Sequence, residues 1–223
     1  MTNQSMHFVS TAEAAFLAGV DTTIIHRLVD DQLVPADHLL LEGGSRRMSR
    51  LGAAFARVYC DLEDTLAPRA RRSLVEELSR RIHELTAEQQ DAVSRLHALR
   101  TVNWIVMFNH IMVDVTSQVD DAAARAKEIE LADMLVTTDA NVMAGAACFA
   151  GSRVPIDFVL ASLDEGEALA RLQASYPFLT EAHIDAARVY QLVRPRRGRP
   201  RKLSDRSPAL KPRVSKVVKP ARK

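Results

Sequence analysis

The side chains in this sequence whose types and spacing could do chemistry are those that grip a polyanion. Thr22, Thr23, His26 and Arg27 are spaced so that a helix would carry all four on one side. Presented to a DNA major groove, Arg27 could pair bidentately with a guanine edge, and the threonines could contact bases or phosphates. Arg46 and Arg47 follow the loop glycines Gly43 and Gly44 and suit contacts to phosphate. A third cationic set lies at the carboxyl end, where residues 194–223 hold 13 Lys or Arg against the single Asp205, a net of +12. The whole chain is +2, so residues 1–193 carry 2 − 12 = −10, and the basic charge is a tail on an acidic body. Catalysis has no comparable set. There is no glycine-rich phosphate loop, no His-x-x-x-His or Cys-x-x-Cys pair and no serine elbow. The nearest carboxylate cluster, Asp120, Asp121, Glu128 and Glu130, reads as a solvated helix face. The chain is therefore read as no enzyme, with no catalytic residue, no metal and no cofactor.

The elements that must position the first set can be read from their caps. Ser10-Thr11-Ala12-Glu13 starts a helix that Ala14, Ala15, Leu17 and Ala18 continue to Gly19-Val20, and Asp21 caps a second helix through Leu28. Helix, glycine turn and helix make a helix-turn-helix. Leu33-Val34-Pro35, the Gly43-Gly44 loop and Ser45-Arg46-Arg47-Met48-Ser49 then lead into a helix through Leu51, Phe55, Val58 and Leu62. This order is similar to the amino-terminal DNA-binding domain of MerR-type regulators, over Phe8 to about Leu78. That resemblance implies a winged helix-turn-helix with Thr22, Thr23, His26 and Arg27 in the groove and Arg46 and Arg47 on the wing. Two positions depart from the pattern: His26-Arg27-Leu28 replaces an arginine-tyrosine-tyrosine run, and Met48 replaces an aromatic residue. The competing reading is a three-helix packing module that binds protein.

From Leu66 to about Arg100 the chain is helical and charged. Arg69, Arg71, Arg72, Arg80 and Arg81 alternate with Glu76, Glu77 and Glu84 as a solvated, ion-paired face, over an apolar seam of Leu74, Leu78, Ile82 and Leu85. Trp104 to Phe108 and Ile111 to Val115 are β-branched and aromatic runs around Asn109-His110, a pattern that favours a β-hairpin. Thr116 or Ser117 then caps a helix with Val119, Ala123, Ala126, Ile129 and Ala132 inward. Hairpin and helix are expected to pack the carboxyl-terminal part onto the rest.

Between Gly145 and Leu192, Gly151-Ser152-Arg153-Val154-Pro155 turns into a helix, Gly166 stops it, and Ala168, Leu169 and Leu172 stripe a second helix. Pro177 ends that one, and Thr180-Glu181 opens a third with Ile184, Ala187 and Tyr190 inward. Three short helices bury little, so the unit should lean on another part of the chain. These pieces in this order resemble family 433 of the bacterial domains of unknown function, whose members are regarded as antitoxins of the VapB type. Here Ala146-Ala147 stands where lysine-proline is usual. In the tail, Arg197-Gly198-Arg199-Pro200 looks like an AT-hook, whose arginines would lie in a narrow minor groove. An unspecific polycation is the competing reading. Its prolines and lack of aromatics predict a disordered tail.

The expected fold class is mainly α, in four stretches. Residues 1–85 form a MerR-like winged helix-turn-helix, 86–133 connecting helices and a β-hairpin, 134–193 a three-helix family-433 domain of helix-turn-helix-like type, and 194–223 a disordered basic tail. The resemblance implies an antitoxin that neutralises a PIN-like ribonuclease toxin and represses its own operon by binding operator DNA as a homodimer. Arg153, Arg194, Arg196 and Arg201 are the candidate partner contacts, and Arg197 and Arg199 further DNA contacts. The alternatives are a regulator without a toxin and a nucleoid-type binder working through the tail. Cys60 and Cys148 are read as reduced and buried thiols in a cytoplasmic protein. No membrane partner is expected, because the most apolar run, Trp104 to Val115, is short and broken by polar residues.

Overall fold

Short polar side chains start each of the first three helices. In the computed structural model, which describes residues 7–42, 44–108 and 110–195, Ser10 accepts the Glu13 backbone N–H at 3.2 Å and caps α1 (Thr11–Ala18). Asp21 accepts the Thr23 N–H at 2.7 Å and caps α2 (Thr22–Asp30). Ser49 accepts the Gly52 N–H at 2.9 Å and caps α3 (Arg50–Asp61). Each satisfies one of the backbone donors that a helix start leaves open. Between α1 and α2 the backbone reverses at Gly19, whose φ of 62° is the left-handed conformation a glycine adopts without strain. Strands β1 (Phe8–Ser10), β2 (Leu39–Glu42) and β3 (Ser45–Ser49) form an antiparallel sheet in the order β1-β3-β2, so β2 and β3 are a hairpin that flanks the two helices.

Helices α4 (Pro68–His83) and α5 (Ala87–Ser94) follow, with Leu74, Leu78 and Ile82 buried along α4 as the seam required. Strands β4 (Ile105–Phe108) and β5 (Ile111–Asp114) form the expected hairpin, pairing Val106 with Val113 on its inner face. The 20-residue helix α6 (Thr116–Leu135) buries Val119, Ala123, Ala126, Ile129 and Ala132. Its start departs from expectation. Neither Thr116 nor Ser117 caps it; the Asp114 carboxylate accepts the Thr116 N–H at 2.9 Å and the Thr116 hydroxyl at 2.6 Å.

One hydrophobic core runs from β1 to α6 and includes Leu17, Ile25, Leu28, Phe55, Leu78, Trp104 and Ile129. A second core holds Val136, Phe149, Ile156, Val159, Leu172, Leu179 and Ile184. It belongs to α7 (Ile156–Asp164), α8 (Leu169–Ser175), α9 (Glu181–Val193) and a two-stranded sheet of β6 (Val136–Thr138) and β7 (Ala147–Phe149) that the sequence reading did not include. Leaning is achieved by helices: α9 lies along α6 and also touches α1. Of the hairpin expected to share in that junction, β4 packs mainly on its partner strand and on α4. Val193, the last residue of α9, is buried in the first core. Among the described residues no helix is long and apolar enough to cross a membrane.

Candidate nucleic-acid interface

The amphipathic register of α2 sorts its side chains. Ile25 and Leu28 are buried against α1 and α3, while Thr22, Thr23, His26 and Arg27 all face solvent, as the spacing required. Arg46 and Arg47 are exposed on β3, and Arg46 reaches across to the end of α2, where its Nη1 lies 2.5 Å from the Asp30 carboxylate. The structure therefore brings the α2 residues and the hairpin arginines onto neighbouring elements joined by an ion pair.

Electrostatics there are mixed. Arg27 Nη2 stands 3.6 Å from Glu63 Oε2, just past the end of α3. Thr23 donates both its N–H and its hydroxyl to Asp21, and these bonds, the backbone one first, hold the Asp21 carboxyl below its ordinary range. Each arginine is thus met by a carboxylate that the sequence reading did not pair with it. All four side chains of the two ion pairs are about half exposed, and pairs of that kind contribute about 1 kcal/mol or less. A phosphate approaching either guanidinium competes with a weak bond.

The hairpin and α3 are set by a buried knot. His38 is 3% exposed; its Nδ1 lies 2.8 Å from the Ser49 hydroxyl, and its ring meets Phe55 edge-on at 5.2 Å. Burial pushes the His38 pKa down to about 4, with a smaller upward pull from Asp37 and a smaller downward push from His83. A Cβ on Gly52 would sit 2.8 Å from the His38 Cβ, so glycine is what lets α3 pass this close. A second knot joins α1, α3 and α6: Arg50 bonds Glu13 at 3.4 Å and Glu130 at 3.0 Å. Burial raises the Glu13 pKa, and Arg50 opposes that rise.

The carboxyl end of α9 returns to the same neighbourhood. The Ser10 hydroxyl donates to the Val193 carbonyl at 3.5 Å, and Ser10 pairs with Arg47 in the β1–β3 register. Arg194 is held by Asp133 of α6, at 2.6 Å and 2.8 Å to its two oxygens, and stacks over the Tyr190 ring at 4.6 Å. A partner seeking Arg194 must displace an internal clasp. Arg153 is exposed and lines a cleft of about 390 Å³ with Asp139, Cys148 and Ser152. Arg196, Arg197, Arg199 and Arg201 lie outside the described residues. Cys148 is buried as expected, Cys60 only half-buried, and burial raises both thiol pKa values.

One residue sits far from its expected place. Arg71, read as part of a solvated face, is only 6% exposed, with its guanidinium 4.2 Å from the centre of the Tyr59 ring and its Nη1 donating to the Tyr59 carbonyl at 2.8 Å. The signal was present: stepping back three residues from Leu74 along the apolar seam lands on Arg71.

Residues 136–190 match the family described as "Protein of unknown function (DUF433)", so the carboxyl-terminal unit is a domain of that family. Over 200 residues, 88% of this chain and 86% of its relative, the sequence is 27% identical to Uncharacterized protein y4eO of Sinorhizobium fredii (strain NBRC 101917 / NGR234), so the likeness extends beyond that unit. The crystal structure of Rv2018 from Mycobacterium tuberculosis aligns with 80% of this chain and 95% of its own, at 18% identity and a TM-score of 0.30.

Proposed function

We propose that this protein is an antitoxin of a type II toxin–antitoxin pair that binds its operator through a MerR-like helix-turn-helix and neutralises a PIN-like ribonuclease. The observation that carries the DNA-binding part is the exposure of Thr22, Thr23, His26 and Arg27 on α2 beside the Arg46–Arg47 hairpin. In this reading α2 enters the major groove, Arg27 exchanges Glu63 for a base edge, and Arg46 exchanges Asp30 for a phosphate. One such unit offers little contact area, so two copies on a two-fold operator supply the rest. The antitoxin part is supported by the DUF433 match at 136–190 and by the basic run that follows it.

Binding of the upstream region is measured with a chain ending at Pro195, because ending earlier would remove the buried Val193 or the Arg194 clasp. Arg27→Ala should weaken binding about tenfold and relax sequence preference, while Arg46→Ala should lower the salt slope by about one. Parental binding by the double variant sinks the groove assignment. Co-expression with the product of the adjacent reading frame, tested for ribonuclease activity, tests the antitoxin part. A full-length chain that binds operator but neither co-purifies with the nuclease nor inhibits it is a regulator without a toxin.

A further inference from the structure

Behind α2 the protein buries a positive charge without burying a negative one. Arg71 has no carboxylate within ion-pair distance among the described residues. Its Nη1 is spent on the Tyr59 carbonyl, and its Nε has no partner among the described residues. Tyr59 is 3% exposed, and its hydroxyl also lacks a partner among the described residues. A buried guanidinium with an unused donor is costly unless an anion or a strong acceptor meets it. Both residues line one pocket of about 290 Å³ between α2, α3 and the first turn of α4, walled by Leu28, Leu33, Cys60 and Pro68.

We propose that this pocket is a binding site for a small oxyanion, a carboxylate or phosphate group on a free metabolite. Arg71 offers its Nε, and the Tyr59 hydroxyl can add a second donor; the carbonyl bond and the ring stacking hold the guanidinium in place before any ligand arrives. Arg27, also in the lining, is about half exposed and ion-paired with Glu63, so water screens it as it screens its partner. Asp31 and Glu63 line the pocket too and bring the formal charge of the lining to zero. They do not reverse its preference: Asp31 is exposed and Glu63 is about half exposed, so water screens them, while Arg71 is buried where its field is least screened. The volume is at the low end for ligand pockets, which favours a compact ligand and leaves no room for a dinucleotide. DNA phosphate is a poor occupant, since Arg71 is buried beneath the surface that a duplex could touch.

The test uses the full-length protein without DNA, by isothermal titration at constant ionic strength held with sodium chloride. Inorganic phosphate and succinate are titrated separately, which distinguishes the two sources of the oxyanion. One of them is expected to bind saturably at one site per chain. Tyr59→Phe removes only an unpartnered hydroxyl, so its melting temperature without anion should be unchanged or higher while its affinity falls about fivefold or more. Arg71→Lys keeps the charge but loses the fork and should weaken binding about tenfold; if this variant does not fold, Tyr59→Phe alone decides. Saturable binding by neither anion overturns the proposal, and so does parental affinity in Tyr59→Phe.

Discussion

His38 should make the amino-terminal unit lose stability as pH falls below 6.5. The ring is buried between Ser49 and Phe55, and burial lowers its pKa from 6.5 to about 4. Between those values the unfolded chain takes up a proton that the folded chain refuses. Stability from this group is therefore full near pH 7 and drains as pH falls through 6.5 toward 4. At 1.36 kcal/mol per pKa unit, the loss relative to pH 7 is about 1 kcal/mol at pH 5.5 and about 2.5 kcal/mol at pH 4.5. Other groups titrate nearby. Glu13, whose pKa is raised by burial, acts in the opposite sense; the ion-paired Glu77, lowered to about 2 by Arg80 and Arg81, loses its contribution as pH falls from about 4.5 toward 2. The contribution of His38 is isolated by subtraction, with urea unfolding of the parent and His38→Met at pH 7, 5.5 and 4.5. The parent should lose the stated amounts relative to the variant. Parallel stability curves across that range would refute the reasoning and place a charged or solvated ring at this position.

Two further predictions follow from neighbouring elements. A Cβ on Gly19 would lie 2.7 Å from the Arg125 guanidinium, whose Nη1 donates to the Leu17 carbonyl at 3.2 Å. With the left-handed backbone added, Gly19→Ala should cost about 2 kcal/mol in urea unfolding, and Arg125→Ala in the same chain should not restore the part due to backbone strain. If operator reading depends on Arg27, the anion that fills the pocket behind α2 should weaken operator binding at matched ionic strength, and Tyr59→Phe should need about fivefold more anion or more for the same effect; equal weakening in both at every concentration means a salt effect alone.

What the sequence disclosed was local chemistry. Ser10 and Asp21 announced their helices because short oxygen side chains have few other uses immediately before an apolar run, and Gly19 announced the reversal for its backbone freedom. The same reasoning misplaced the start of α6, where two hydroxyls competed for a cap that Asp114 makes from two residues upstream. The β6–β7 sheet escaped because each strand is three residues long and its partner lies beyond an irregular turn at Met143–Gly145, so neither periodicity nor turn chemistry marks it. Arg71 was hidden by its own type. A charged residue on an apolar seam reads as the seam's end, and the Tyr59 ring and carbonyl that offset part of the cost of burial are twelve residues away in sequence. The carboxylates facing Arg27 and Arg46 come from distant positions, which no local rule could pair with them.

The position of the α9 terminus bears on how the tail could act. Val193 is fastened beside Ser10, and Ser10 pairs with Arg47, so the chain leaves the folded body next to the strand that carries the hairpin arginines. Arg197 is two residues beyond Pro195. Two residues of chain span at most about 7 Å. On the proposed operator-binding reading, a nucleic acid held by α2 and β3 meets a cationic run on a short tether, and tethering of that kind raises effective concentration. On the same proposed reading, a nuclease that engages Arg194, Arg196 or Arg201 competes with that nucleic acid.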